Sequence, residues 1–292
     1  MLNRNEALFG PAGNCEAFYA TGHKSTVQVF GWLREQGLTA YEYQCGRGVR
    51  ASADAAAAIR CAAQENGIAV SVHAPYFISL ASAEEEKRDN SIRYILDSAR
   101  AVDAMGGDRI VVHPGGLGGR SRAEATAIAC DTLTRAQAAL DENGLGGVHI
   151  CPEVMGKMNQ LGDLDEVLQF CGTDERFLPC VDFGHLNSRL LGALDGEDAF
   201  ASVLDRIADA VGEERLRRMH IHFSKIEYTA GGEKRHLTFA DTAFGPDPAP
   251  LMALLARRGL CPTVICESAG TQTADASAMQ RMYRTFAEKT DV

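Results

Sequence analysis

Short apolar segments alternate with amphipathic helical segments eight times along the 292-residue sequence. The apolar segments, interpreted as strands, lie at residues 8–10, 40–44, 68–74, 109–113, 148–154, 177–183, 219–223 and 263–267. The predicted helices lie at residues 26–36, 52–66, 83–105, 121–142, 163–170, 198–211, 250–258 and 274–286. Strands that alternate with helices form parallel sheets, and eight repeats in this length predict a closed (β/α)8 TIM barrel, an α/β fold with residues 1–292 as one domain.

A doubly wound open sheet is the alternative arrangement of the same elements. It usually carries a Gly-x-Gly-x-x-Gly turn after its first strand, and the sequence has no such turn there. The glycine run at residues 115–119 follows the fourth strand instead, where we expect a flexible loop.

Composition and charge limit the classes of function. The chain is 46% hydrophobic and 23% charged, with a net charge of −10, which argues against coating nucleic acid by bulk electrostatics but not against a locally basic face. Nine cysteines without a Cys-x-x-Cys pair indicate a reduced, cytoplasmic protein. No apolar run reaches the roughly 18 residues that span a bilayer, and the N-terminus lacks a secretory signal pattern, so we expect no membrane partner.

Histidines and carboxylates stand at the ends of the predicted strands. In a (β/α)8 barrel these ends meet at one face and form the active site. Any one of them alone is more often an ordinary hydrogen-bonding group, but burying several would cost on the order of several kcal/mol each without pairing or a metal. Such a mixed set is typical of zinc or manganese sites. The candidates are His73, His113, Glu153, Asp182, His185, His220, His222 and Glu267, with His236 in the loop after the seventh strand.

Two details of this set remain open in the sequence. His220 and His222 face the same side of one strand, and we favour His222 as the ligand because it is nearer the strand end. Cys151 and Cys180 share the inward orientation of the strand-end carboxylates, but we expect them one layer deeper, as packed side chains.

The order and spacing of these motifs resemble the endonuclease IV family of apurinic/apyrimidinic endonucleases. Residues 71–82, SVHAPYFISLAS, form the most specific match. The other matches are VHPG at 112–115, EVMGK at 153–157, QLG at 160–162, DFGH at 182–185, HIHFS at 220–224, KRH at 234–236 and ICE at 265–267. The correspondence extends from about residue 7 to about residue 270.

This resemblance implies a xylose isomerase-like barrel that cuts damaged double-stranded DNA on the 5′ side of abasic sites, as in base excision repair. It implies two to three Zn²⁺ ions, with Mn²⁺ as an alternative, that activate water and stabilise developing charge. Glu153 would bridge two ions, and Glu153, Asp182 and Glu267 would be the catalytic carboxylates. The implied ligands are His73, His113 and Glu153 for one ion, Glu153, Asp182, the strand-seven histidine and Glu267 for a second, and His185 and His236 with an aspartate for a third.

The third implied site departs from the family pattern. Lys234 stands where the family has an aspartate before Arg-His, and a protonated lysine cannot ligate a cation. Either the site is empty, or Glu233 or Asp241 supplies the ligand, or Lys234 itself replaces the charge of the ion, which is the interpretation we favour.

Contacts to DNA would come from the loops above the strand ends, which are mildly basic. The resemblance implies that Tyr76 and Arg47 enter the duplex and hold the abasic nucleotide outside the helix. We expect Lys157 and Lys234 to contribute basic charge to this face, and the protein to act as a monomer.

Two other functions fit parts of the pattern. A xylose isomerase-like sugar isomerase or epimerase would need only Glu153, Asp182, one strand-seven histidine and Glu267 around a single divalent ion. His73 and His113 favour the nuclease, and the one tryptophan, Trp32, lies in the first helix rather than in a sugar pocket. A non-cutting binder of damaged DNA is suggested only by Lys234 and is disfavoured by the retained carboxylates.

Overall fold

The fold is the predicted (β/α)8 barrel, followed here in a computed structural model that describes residues 5–290. Residues 1–4 and 291–292 of the predicted domain lie outside the described residues. The strands are β1 Leu8–Pro11, β2 Ala40–Gln44, β3 Ala69–His73, β4 Arg109–Val112, β5 His149–Pro152, β6 Cys180–Asp182, β7 His220–Phe223, β8 Ile226–Thr229, β9 Gly232–His236 and β10 Thr263–Cys266. The helices are α1 Glu16–Ala20, α2 Val29–Glu35, α3 Ala53–Asn66, α4 Glu85–Ala104, α5 Arg122–Glu142, α6 Leu164–Cys171, α7 Phe183–Arg189, α8 Gly196–Val211, α9 Glu213–Arg217, α10 Pro248–Arg257 and α11 Gln272–Thr290.

Two four-stranded parallel sheets form the barrel wall, in the orders β1-β10-β7-β6 and β2-β3-β4-β5. Single parallel bridges from Ala12 to Glu42 and from Glu153 to Cys180 join the sheets and close the barrel. Because these eight strands are parallel, their carboxyl ends meet at one rim. The strand-end histidines and carboxylates therefore converge.

Capping side chains determine where two of the outer helices begin. Ser121 and Asp163 form capping boxes with Glu124 and Glu166, which satisfy free N–H groups at the starts of α5 and α6. Glu166 also accepts two hydrogen bonds from Arg122, of 2.8 and 2.6 Å, and so ties α5 to α6. The Arg122 guanidinium is therefore used in contacts between the two helices.

Cysteines and aliphatic side chains fill the interior below the rim. Val111, Cys151, Leu178 and Cys180 form a fully enclosed cluster, so the two cysteines lie one layer below the strand ends, as predicted. All nine cysteines are free thiols.

The structure corrects three details of the predicted elements. The sixth strand is only Cys180–Asp182, and α7 follows it at once because the Asp182 carboxylate accepts the His185 backbone N–H at 2.8 Å and caps the helix. His185 therefore lies in the first turn of α7 rather than at the end of a strand. His236 ends the β8–β9 hairpin, which occupies part of the predicted loop. The first predicted helix is a 3₁₀ turn, Thr26–Gln28, followed by α2.

Within residues 5–290, no helix combines the length and apolar character that crossing a bilayer requires.

Candidate metal centre

Glu153 is the fully buried carboxylate at the centre of the rim. Its Oε2 atom lies 2.9 Å from His113 Nε2 and 3.3 Å from His73 Nε2. Its Oε1 atom lies 3.2 Å from His222 Nδ1 and 3.3 Å from His185 Nδ1. The two oxygens thus face different sets of imidazoles, which is the geometry of a carboxylate shared between two cation sites.

The first group of donors is His73, His113 and Glu153, whose potential ligand atoms lie within 4.8 Å of one another. His73 Nδ1 lies 2.9 Å from the Ala74 carbonyl oxygen, which fixes that nitrogen as the donor. His73 Nε2 is then the atom that can ligate an ion, since a histidine bound through one nitrogen commonly donates through the other.

The second group is Glu153, Asp182, His222 and Glu267, again within 4.8 Å. Asp182 Oδ1 caps α7, while its Oδ2 is buried, accepts no hydrogen bond among the described residues and lies 3.2 Å from His185 Nδ1. A buried carboxylate oxygen without such a donor is costly, and a cation would satisfy it. The donor set therefore fits a divalent ion.

The third group is His185, Glu233 and His236. Glu233 Oε2 lies 3.4 Å from His185 Nε2, and His236 Nδ1 is 2.8 Å from Ser224 Oγ. Glycine is required at position 156, because a Cβ there would lie 2.6 Å from Glu233 Cβ and 2.9 Å from His185 Cδ2. Glu233 is therefore the carboxylate of the third group, for which the resemblance implies an aspartate.

Lys234 does not join the third group. Its side chain is 57% exposed and pairs with Glu227, which also binds Arg235. This placement does not support the favoured interpretation, in which Lys234 replaces the charge of a third ion, and that interpretation stays a prediction. The physical reason for the placement is the hairpin geometry, which brings Glu233 into the group and leaves its neighbour in solvent.

His220 and Glu42 lie beneath the three groups, inside the barrel. Both are fully buried, and His220 Nε2 lies 3.0 Å from Glu42 Oε2. Glu42 was missed in the sequence, although a glutamate in the middle of a predicted buried strand is a usable signal. Cys180 also reaches within 4.8 Å of the ring nitrogens of His220 and His222.

Burial and neighbouring charges shift the pKa values of several side chains in the centre in opposite directions. Burial would raise the pKa of Glu153, but His113 and His222 hold that pKa well below its usual range. Burial would likewise lower the pKa values of His73 and His185, yet the neighbouring carboxylates raise them to about 9 and about 10. Burial raises the pKa of Glu267. Positive charge is therefore favoured here, and a metal ion can replace the protons.

An open cavity of about 390 Å³ leads to these groups. Its lining includes Tyr76 and Lys157, and Tyr76 is 63% exposed. Arg47 is exposed in an adjoining depression that shares Gln44 with the cavity. The described lining is Gln44, Gly46, His73, Ala74, Tyr76, His113, Met155, Lys157, Gln160, His185, Glu233, His236 and Glu267.

Two basic side chains of this face, Arg189 and Lys225, are engaged by backbone carbonyl groups of the scaffold. Arg189 donates to the carbonyl oxygens of Met155, Lys157 and Gln160, and Lys225 donates to that of Phe239. The free basic charge beside the cavity is therefore smaller than the sequence suggests.

The family model for xylose isomerase-like TIM barrels matches residues 30–285. The chain belongs to this family. An uncharacterized protein of Methanocaldococcus jannaschii is 35% identical over 268 residues, which are 91% of this chain and 94% of the relative.

Relatives with a nuclease name are more distant. The probable endonuclease 4 of Acholeplasma laidlawii is 28% identical over 170 residues, 56% of this chain and 56% of its own length. The predicted relationship to endonuclease IV is confirmed by such relatives.

Solved structures of proteins with two different activities share the fold of this chain. Endonuclease IV from Thermus thermophilus superposes with a TM-score of 0.63 at 19% identity, covering 91% of this chain and 96% of that one. A 3-keto-D-glucoside 4-epimerase from E. coli gives 0.67 at 17% identity, covering 96% and 100%. At these identities the likeness shows the fold alone.

Proposed function

We propose that this member of the family is a metal-dependent phosphodiesterase that cuts DNA on the 5′ side of abasic sites. The observation that carries the proposal is the convergence of three donor groups on one open cavity, two of them sharing Glu153. A sugar isomerase needs only the second group. The first and third groups are explained by a reaction at a phosphate, where several cations stabilise one spread-out negative charge.

The residues fit Zn²⁺, with Mn²⁺ as the alternative, because they offer imidazole nitrogens and carboxylate oxygens. We assign two ions to the first and second groups, and a third to His185, Glu233 and His236. When bound, the ions would polarise the phosphate and lower the pKa of water.

The protein's own side chains would position the substrate. Lys157 in the cavity lining and Arg47 beside it would neutralise phosphates, which orients a duplex without reading its sequence. The exposed ring of Tyr76 would stack where an unstacked nucleotide leaves the helix. The Ala74 carbonyl oxygen, which accepts from His73 Nδ1, directs His73 Nε2 towards Glu153.

We also propose that the chain acts as a single-domain monomer in the cytoplasm. Nine free thiols support a reducing compartment.

The test is a nicking assay on a duplex oligonucleotide with one abasic site, run on metal-stripped protein before and after Zn²⁺ is returned. We expect 5′ cleavage only with metal, and its loss in His73→Ala and His113→Ala. His149→Ala is the matched control, because His149 lies at the opposite end of β5 and contacts the Arg176 carbonyl. Cleavage in the control should equal that of the unmodified protein.

A sugar epimerase is the second candidate, because the second group alone matches its single-ion requirement. Full metal loading without cleavage, together with epimerisation of a ketose that survives His113→Ala, would favour it. Tight binding of abasic DNA without cleavage or epimerisation would indicate a binder instead.

A further inference from the structure

Glu42 is a fully buried carboxylate on β2, directly beneath the metal centre. Its Oε1 lies 3.0 Å from His222 Nε2, and its Oε2 lies 3.0 Å from His220 Nε2. Ser71 Oγ donates to Oε2 at 2.9 Å, and Gln44 Nε2 donates to Oε1 at 3.3 Å. Ser71 and Gln44 thus donate hydrogen bonds to this carboxylate, and the imidazoles of His220 and His222 lie in close contact with it.

His222 connects Glu42 to the metal centre. Its other nitrogen, Nδ1, lies 3.2 Å from Glu153 Oε1 and 3.5 Å from Glu267 Oε2. One edge of the ring therefore faces the second group and the other edge faces Glu42. Only Nδ1 is directed at the place where the second group would bind an ion.

We propose that Glu42 is a positioning residue, which accepts the proton of His222 Nε2 and so presents Nδ1 to the ion of the second group. This inference rests on the proposed metal centre. Glu42 is not itself a ligand, because its carboxylate lies on the far side of the His222 ring.

Two physical arguments support this role. A histidine that binds a metal usually donates its other N–H to a carboxylate or carbonyl, which fixes the tautomer and the ring orientation. In addition, an ionised carboxylate with no exposed surface is costly unless it is compensated, and His222, His220 and Ser71 provide that compensation. The anchors come from β3 and β7, so the rigid barrel wall sets the position of the ligand.

The test is a Co²⁺ titration of the full-length protein, followed by visible absorption, which reports the coordination geometry directly. In Glu42→Gln one ion should bind about 10- to 100-fold more weakly, with an altered spectrum. Ser71→Ala, which removes one anchor of Glu42, should cause a smaller change in the same direction. Circular dichroism establishes that each variant is folded.

Glu166→Gln is the matched control, because Glu166 is a buried carboxylate that binds Arg122 and the N–H of Gly162 and belongs to none of the three donor groups. It should lower the melting temperature but keep the unmodified Co²⁺ affinity and spectrum. Unchanged Co²⁺ binding in folded Glu42→Gln, or in folded Ser71→Ala if the first variant does not fold, would overturn the inference alone. Absence of Co²⁺ binding by the unmodified protein would overturn the metal centre as well.

Discussion

His220 and His222 lie two residues apart on β7 and face the same side, yet their surroundings differ in kind. The upper layer, around His222, contains Glu153, Asp182 and Glu267. The lower layer, around His220, contains Cys180, Ser71 and Glu42. Burial lowers the pKa of both rings, but Glu267, Glu42 and Glu153 together raise that of His222 well above its usual range, whereas the pKa of His220 falls to about 4.

This difference teaches that depth in the barrel, more than residue type, separates a candidate ligand from a structural histidine. The upper layer gathers more carboxylates than one histidine can neutralise, and it opens to the cavity. The lower layer is closed, and its one carboxylate is already satisfied. The preference for His222 over His220 follows from the same geometry and stays a prediction until metal binding is measured.

Glu153→Gln should give the largest effect, because Glu153 belongs to both the first and the second groups. We expect abasic-site cleavage to fall about a thousandfold, as several kcal/mol of transition-state stabilisation disappear. Nicking rates with saturating Zn²⁺ and metal analysis of the purified variant check this. A variant with normal metal content and more than a tenth of the activity would show that Glu153 is not shared.

The two layers can be compared directly with one pair of substitutions. His222→Ala should lose one bound ion and about a hundredfold or more of the cleavage rate. His220→Ala should retain its ions, with affinity lowered less than tenfold, and lose about 1–3 kcal/mol of unfolding free energy because Glu42 loses a buried partner. Metal content and chemical denaturation of both proteins provide the data. Equal metal loss in the two variants would remove the distinction between the layers.

The pH dependence of metal binding tests the charge balance of the upper layer. The pKa values of His73 and His185, raised to about 9 and about 10, mean that an ion must displace their protons at pH 7. For each proton that the ion displaces, the apparent Zn²⁺ affinity should therefore rise about tenfold per pH unit. The rise should end at pH 9–10, where these imidazoles lose their protons unaided. Competition with a chelator at several pH values, with released protons titrated, measures this.

The metal-free protein should show the opposite trend. Because the folded-state pKa values are raised, the stability contributed by these protonated imidazoles is fully present below their ordinary pKa of 6.5 and is lost as pH rises through 9–10. A Zn²⁺ affinity that is independent of pH would contradict both trends, because both depend on the raised pKa values of His73 and His185.

Substitutions in the β8–β9 hairpin should have the smallest effects on cleavage. Glu233→Gln should weaken the third group and slow cleavage about tenfold, since a carboxylate ligand is lost. Lys234→Ala should stay within about twofold, because its exposed pair with Glu227 contributes roughly 0–1 kcal/mol. Parallel nicking assays distinguish the two. A larger loss of cleavage activity in Lys234→Ala would show that this lysine contributes to the site.

The barrel could be predicted because eight local patterns each indicate a strand or a helix, and parallel pairing then brings their ends together. The hairpin could not, because β8 is only four residues long and β9 is charged, with no apolar alternation. Its register decides that Glu233 rather than Lys234 faces His185. Glu42 carries one local signal, as a glutamate inside a predicted buried strand, but its partners on β3 and β7 could not be predicted because contacts between distant segments leave no mark in the local sequence.

In our proposal, the side chains around Glu153 form a centre for more than one metal ion. Metal analysis of the fully reconstituted protein, after removal of loosely bound ions, tests it most directly. The account predicts two to three Zn²⁺ per chain, with at least one ion lost in Glu153→Gln. One ion per chain, retained when His73 and His113 are replaced by alanine, would contradict it and indicate the single-ion centre of an isomerase.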